Sequence, residues 1–184
     1  MGGSTDGAGW RAFRSRRALV VMGVTGTGAA NVARLVARSL AAAYLEDAAD
    51  PTGAGHGARI SRIADWLADQ RSGGTPVVLV CPALARAQRD VLRRGDPGLY
   101  VVHLSAGREL LSRRIRERPG TARASRLLES QLARLEPLHD DEAGVVIDAG
   151  ATPTELLRRI LVMVASPAPP GIPSHRDSNH RAVS

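Results

Sequence analysis

The sequence predicts an α/β domain in three layers, a five-stranded parallel sheet with helices on both faces. Three observations carry this expectation. Short apolar runs alternate with helical patterns along the chain. Runs such as Pro76–Cys81 (PVVLVC) and Leu99–Leu104 (LYVVHL) are β-branched, apolar and bounded by breakers, as buried strands are. The first run, Ala18–Met22, passes straight into a glycine-rich turn, Gly23-Val24-Thr25-Gly26-Thr27-Gly28, and a helical pattern follows it at once.

Residues 1–17 read as a disordered basic arm, with Arg11, Arg14, Arg16 and Arg17 leading to the first strand. The domain then spans 18–165. After the strand Leu19–Met22 and the glycine turn, Asn31–Ala43 reads as a helix. Val32, Leu35, Val36, Leu40 and Ala43 share one face, and Arg34 and Arg38 lie on the other. Tyr44–Leu45 begins a short strand that runs into Glu46-Asp47-Ala48-Ala49-Asp50-Pro51. Carboxylates just beyond a strand end are where open α/β sheets hold ligands, although Asp50-Pro51 is equally a turn opener. Thr52–Gly57 (TGAGHG) reads as a glycine-rich loop with His56 exposed. A helix is expected over Ala58–Gln70, ended by Gly73-Gly74, and the strand Pro76–Cys81 follows. Pro82–Arg94 reads as a helix, Gly95–Gly98 as a turn and Leu99–Leu104 as a strand. A strongly basic helix, Arg108–Arg118, is broken by Pro119-Gly120-Thr121. Arg126–Leu135 is the next helix, Gly144–Asp148 the last strand and Thr152–Ala165 the last helix. Residues 166–184, rich in Pro, Ser and His, read as a disordered tail.

Composition narrows the function. The chain of 184 residues carries a net charge of +7, and all 25 of its basic residues are arginine. No lysine from elsewhere in the chain can therefore serve a phosphate, whereas an arginine can, as an always-charged fork. Aromatic residues make up only 3%, which leaves little to stack bases on, so the arginines read as solvated helix faces rather than a nucleic-acid groove. A single cysteine, Cys81, excludes an internal disulfide and a cysteine-rich metal site. No metal-ligating set is read from the sequence. No apolar run approaches the roughly 18 residues that cross a membrane. The first residues lack the apolar core of a signal peptide, so a soluble cytoplasmic protein is expected.

The glycine turn carries the chemistry. Gly23 and Gly28 have the P-loop spacing of Gly, four residues, Gly. Such a loop turns successive backbone N–H groups into a concave nest at the positive end of a helix, and nothing in Gly23–Gly28 prevents that. Thr25, Gly26 and Thr27 complete the candidate phosphate cradle. The next two positions, where Lys reaches the phosphates and Ser or Thr holds Mg²⁺, are Ala29 and Ala30. Asn31, one step beyond, is a weak substitute as a metal ligand.

The order of segments resembles bacterial gluconokinase, the small P-loop enzyme that phosphorylates D-gluconate with ATP. The matching pieces run from Val20–Gly28 (VVMGVTGTG) through Ala42–Pro51 (AAYLEDAADP), Asp65–Leu67 (DWL) and Val77–Arg93 (VVLVCPALARAQRDVLR). They continue through Val101–Arg118 (VVHLSAGRELLSRRIRER) and Leu127–Asp148 (LLESQLARLEPLHDDEAGVVID), the last being the strongest match. The resemblance implies a P-loop NTPase fold of the nucleoside-monophosphate-kinase and shikimate-kinase type. It implies ATP and Mg²⁺ as cofactors, Arg114 and Arg118 as phosphate-binding cations, and Asp47, Asp50 and Arg89 as substrate-side residues. Asp47 matches the catalytic or metal-organising acid. The resemblance also raises a homodimer, which no apolar stripe in the sequence selects.

The departures cluster at the chemistry. Besides Ala29 and Ala30, the substrate motif is one residue shorter, with Asp50 in place of its His, and the lid start has become Pro119-Gly120-Thr121-Ala122. Removing one charge-stabilising donor commonly costs ~10²–10³ in rate. Here the P-loop cation and the metal hydroxyl go together, while the apolar strand pattern is intact. The expectation is a catalytically impaired homologue that still binds a small anion or nucleotide. Two alternatives stand beside it. One is an active sugar-acid kinase that uses arginine in place of the P-loop lysine. The other is a non-catalytic interaction module with a vestigial loop.

Overall fold

The computed structural model describes residues 18–47, 56–117 and 120–165. The expected arm and tail, Asp50 and Arg118 lie outside them. Five strands form one parallel sheet: β1 (Ala18–Met22), β2 (Ala43–Glu46), β3 (Val77–Val80), β4 (Tyr100–Ser105) and β5 (Gly144–Asp148). Their order is β2-β3-β1-β4-β5. Six helices connect and follow them: α1 (Ala29–Ser39), α2 (His56–Ser72), α3 (Arg86–Gly95), α4 (Arg108–Arg116), α5 (Thr121–Leu132) and α6 (Pro153–Ala165). The expected α/β fold of the P-loop type is present. Strand β1 is central, between β3 and β4, and its carboxyl end is the switch point at which such sheets bind ligands.

Strand alternation sorts the core into two faces. Leu19 and Val21 of β1 point to α1 and α6, meeting Val32, Val36, Leu156 and Ile160. Ala18, Val20 and Met22 point the other way, to Ile60, Ile63 and Leu67 of α2 and Leu92 of α3. A third, smaller cluster of Val24, Leu84, Leu111, Ile115 and Leu128 packs α4 and α5 onto the loop after β1. Each fully buried aliphatic side chain contributes about 1.5–3 kcal/mol. Among the described residues, no helix is long and apolar enough to cross a membrane.

Several element boundaries differ from expectation, and four of the differences have a local reason. Helix α1 ends at Ser39 rather than Ala43. Ala41 takes a left-handed conformation (φ 46°), and the Ala42 N–H bonds back to the Ala37 carbonyl at 2.9 Å. That closure normally announces itself by a glycine, and alanine gave no such signal. Helix α2 starts at His56, so His56 and Gly57 open a helix instead of lying in a loop. Helix α3 starts at Arg86, not Pro82, because Ala85 is extended (φ −92°, ψ 145°) and its N–H is capped by the Gln88 side chain at 3.1 Å. Helix α5 starts at Thr121 rather than Arg126, launched by Gly120 in the left-handed region (φ 81°).

The contact of α2 with α3 depends on a missing side chain. A Cβ at Gly95 would lie 2.1 Å from the Ala64 carbonyl oxygen, which is backbone and cannot swing away. Gly95→Ala is expected to cost about 1–3 kcal/mol by forcing the two helices apart. Urea titration checks this. At Gly73 the nearest atom to an added Cβ is 3.7 Å away, so Gly73→Ala should move the midpoint far less.

Candidate phosphate-binding site

The loop after β1 is built by its glycines. A Cβ at Gly23 would sit 2.6 Å from the Thr27 hydroxyl and 2.9 Å from the Leu104 carbonyl. Gly26 and Gly28 have φ of 96° and 82°, a region costly for any other residue here. The Thr27 N–H and hydroxyl both donate to the Val24 carbonyl, at 3.2 and 2.8 Å, which closes the turn. The Thr25 N–H and hydroxyl both donate to Gln131 Oε1, at 2.7 and 2.8 Å. Gln131 is buried at the end of α5 and ties the loop to that helix. Its position lies within the resemblance, but only the structure supplies its role.

Gly28 is the N-cap of α1 and brings no side-chain cap. The Val32 N–H makes the first bond back to the helix start, to the Gly28 carbonyl at 3.1 Å. The N–H groups of Ala29, Ala30 and Asn31 precede it, so helix geometry supplies them no carbonyl one turn earlier. They stand at the positive end of the helix dipole beside a cavity of about 410 Å³. The far wall of the cavity is Glu46 and Asp47 at the end of β2, with Cys81 and Pro82 after β3.

The candidate site residues meet different fates. Thr25 and Thr27 line the cavity, with their hydroxyl protons committed to Gln131 and Val24. Asp47 also reaches it, and its N–H continues the sheet to the Val80 carbonyl at 2.8 Å. Its carboxylate is held by the Arg59 guanidinium, through Nε at 3.1 Å and through Nη2, and it accepts the Cys81 thiol at 3.6 Å. Burial and the neighbouring Asp47 charge push the Cys81 thiol well above its ordinary range, so it is a neutral donor and not a nucleophile. Arg114 approaches the loop, where it donates to the Gly26 carbonyl at 3.4 Å and the Ala149 carbonyl at 2.9 Å.

Arg89 has another role than the substrate-binding one expected of it. Its side chain is fully buried, and its nitrogens bond both oxygens of Glu142, at 2.8 and 2.7 Å, and the Leu84 and Pro137 carbonyls, each at 3.0 Å. A guanidinium so enclosed does not reach a ligand; it fastens the segment after α5 to the start of α3.

One residue of the cavity departs from the solvated helix face expected of it: Arg34 lines the cavity one helical turn beyond Ala30. Its Nη2 pairs with Glu46 at 2.8 Å, and the Tyr44 hydroxyl donates to the same Glu46 oxygen at 2.6 Å. The usable signal was the spacing of four residues from Ala30, which puts Arg34 on the same side of the helix.

Several known proteins are similar to this one. Gluconokinase from Gluconobacter oxydans is 34% identical over 159 residues, covering 79% of this chain and 89% of that protein. The chain belongs to the gluconokinase family. The solved structure of a sugar kinase from Janibacter sp. HTCC2649 matches with a TM-score of 0.71 at 32% identity, over 79% of this chain and 92% of that one. A gluconokinase structure from Sinorhizobium meliloti matches with a TM-score of 0.67 at 28% identity, over 80% and 91%. No protein-family model matches the chain.

A kinase of the gluconokinase family implies ATP and usually Mg²⁺, and the site fits the two unequally. The uncapped helix start and the glycine nest suit phosphate oxygens. The metal is not provided for. Ala30 has no hydroxyl, and the two carboxylates that line the cavity are taken, Glu46 by Arg34 and Tyr44, and Asp47 by Arg59. Among the described residues, no cluster of three or more His, Cys, Asp or Glu stands ready for a metal ion.

Proposed function

We propose that this member of the gluconokinase family binds a nucleotide or another small phosphate-bearing anion on the Gly23–Gly28 nest and transfers phosphate to D-gluconate poorly or not at all. The observation that carries this reading is a cradle formed at the backbone, with Gly26 and Gly28 left-handed and α1 uncapped, followed by Ala29 and Ala30. Backbone binding needs no side chain beyond the loop, whereas phosphoryl transfer needs placed positive charge. The reading places the protein in the cytoplasm, where ATP is found. Asp47, at the same cavity, is the residue best placed to face the acceptor sugar acid.

A thermal melt with and without ATP and gluconate tests the binding half. A ligand at 100 times its Kd adds about 2.7 kcal/mol, which for a domain of this size raises Tm by roughly 5–10 °C. A clear shift with ATP is expected. Absence of a shift with either ligand at millimolar concentration would discard the reading and leave a non-catalytic interaction module. A coupled turnover assay tests the other half. The rate with gluconate is expected to fall at least ~10² below that of the Gluconobacter oxydans relative. Equal rates would make the protein a working kinase with arginine in the lysine role.

A further inference from the structure

The cavity holds two carboxylates and one arginine. Arg34 is the one cationic side chain among the described residues that line it. Helix side chains lean toward the N-terminus, so a residue four positions after Ala30 covers the turn that begins there. Tyr44 fastens the arrangement from below: its hydroxyl lies 3.4 Å from the Ala30 carbonyl, and its ring centroid is 5.6 Å from the Arg34 guanidinium carbon. Glu46 binds one Arg34 nitrogen, which leaves further donors of the fork for another anion. The side chain is half exposed at the cavity mouth, so a ligand can reach it.

We propose that the Arg34 guanidinium takes the place of the divalent cation, contacting the outer phosphate of a ligand seated on the nest, so that binding is independent of Mg²⁺. The proposal rests on the phosphate-binding reading given above. A guanidinium meets phosphate with parallel charge-assisted hydrogen bonds and keeps its charge at any working pH. Glu46 and Tyr44 hold it in position before the ligand arrives. The Tyr44 hydroxyl is itself raised to about 12, first by burial and then by its bond to Glu46, so it stays a neutral donor. Bonds from Tyr44 and Arg34 outweigh burial and hold the Glu46 carboxyl below its usual range, so Glu46 stays ionised beside the phosphate.

Calorimetric titration of the full chain tests this, with ATP and with inorganic triphosphate as probes, in EDTA and in excess MgCl₂. The wild type is expected to bind ATP equally well in both buffers, within about threefold. Arg34→Gln should weaken binding of both probes about tenfold to a hundredfold, the scale of a lost charge-assisted hydrogen bond to phosphate. Glu46→Gln removes the competing carboxylate and should tighten binding several-fold. Arg34 and Glu46 are exposed enough for both variants to fold, and unchanged melting in the absence of ligand confirms it. Tenfold tighter binding with Mg²⁺, or equal binding by Arg34→Gln, would overturn the assignment while leaving the nest intact. No binding by the wild type in either buffer would overturn the phosphate-binding reading and the assignment together.

Discussion

Arg89→Met is expected to cost about 3–5 kcal/mol, the scale of breaking a buried ion pair from one side. Its effect on stability should exceed that of Gly95→Ala. Arg89 and Glu142 have side-chain exposures of 0% and 1%. The substitution leaves Glu142 with only the Arg93 guanidinium at 2.9 Å and the His139 N–H at 3.0 Å, and it strips donors from the Leu84 and Pro137 carbonyls. At roughly 2–4 °C per kcal/mol, the melting midpoint should drop by about 10 °C or more. Replacing both members, Arg89→Met with Glu142→Leu, should cost less than the sum of the two single changes, because no uncompensated charge is then buried. A single variant within 1 kcal/mol of wild type would show that the pair contributes little.

The same pair gives the protein an acid limit. Burial alone would raise the Glu142 carboxyl, but the Arg89 bonds, the His139 N–H and Arg93 outweigh it and bring it down to about 2. A carboxyl whose folded pKa lies below its unfolded value contributes stability that is complete above the unfolded value. That contribution is lost as pH falls from about 4.5 through about 2. Denaturation midpoints recorded from pH 7 to pH 2 should therefore fall over that window for the wild type, and more shallowly for Arg89→Met.

Restoring the two missing side chains is expected to have the largest effect on activity. Ala29→Lys with Ala30→Ser should tighten Mg·ATP binding at least tenfold, since a charge-assisted hydrogen bond is worth about 1.5–3 kcal/mol. Both positions line the cavity, and Ala29 also packs on the core beneath the helix, so unchanged melting of the unliganded double variant is part of the test. Turnover with gluconate should rise by up to ~10²–10³, the range for one electrostatic donor. The shortened segment after β2 sets the ceiling, because it alters the acceptor side as well. ATP binding by the double variant should also become dependent on Mg²⁺, as the serine hydroxyl supplies a ligand that Ala30 lacks. Ala30→Ser alone should do little for affinity without the added lysine. Unchanged affinity in the double variant would mean that the nest does not seat the outer phosphates.

The fold was legible in local pattern. Buried parallel strands announce themselves by short apolar runs, and the sheet follows from their alternation with helices. The phosphate loop was legible for the same reason, since Gly26 and Gly28 take conformations that few other residues tolerate. Boundaries failed where a helix ended or began without a signalling residue, at left-handed Ala41 and at Ala85, whose extended backbone is ordinary for any residue.

The side-chain assignments depended on partners far away in the chain. Arg34 and Arg114 are alike as sequence, two arginines on amphipathic helices. The sheet brings Glu46 and Tyr44 against the first, and the carbonyls of Gly26 and Ala149 against the second. Arg89 resembled a binding residue until Glu142, 53 positions on, enclosed it. Thr25 meets Gln131 across 106 positions. The sequence by itself determined the α/β architecture, the glycine cradle and the loss of the lysine and hydroxyl, because these depend on short-range periodicity, left-handed glycines and residue identity. Only the tertiary structure decided which arginine faces the cavity, which is buried and which braces the loop. A charge takes its role from what packing places beside it.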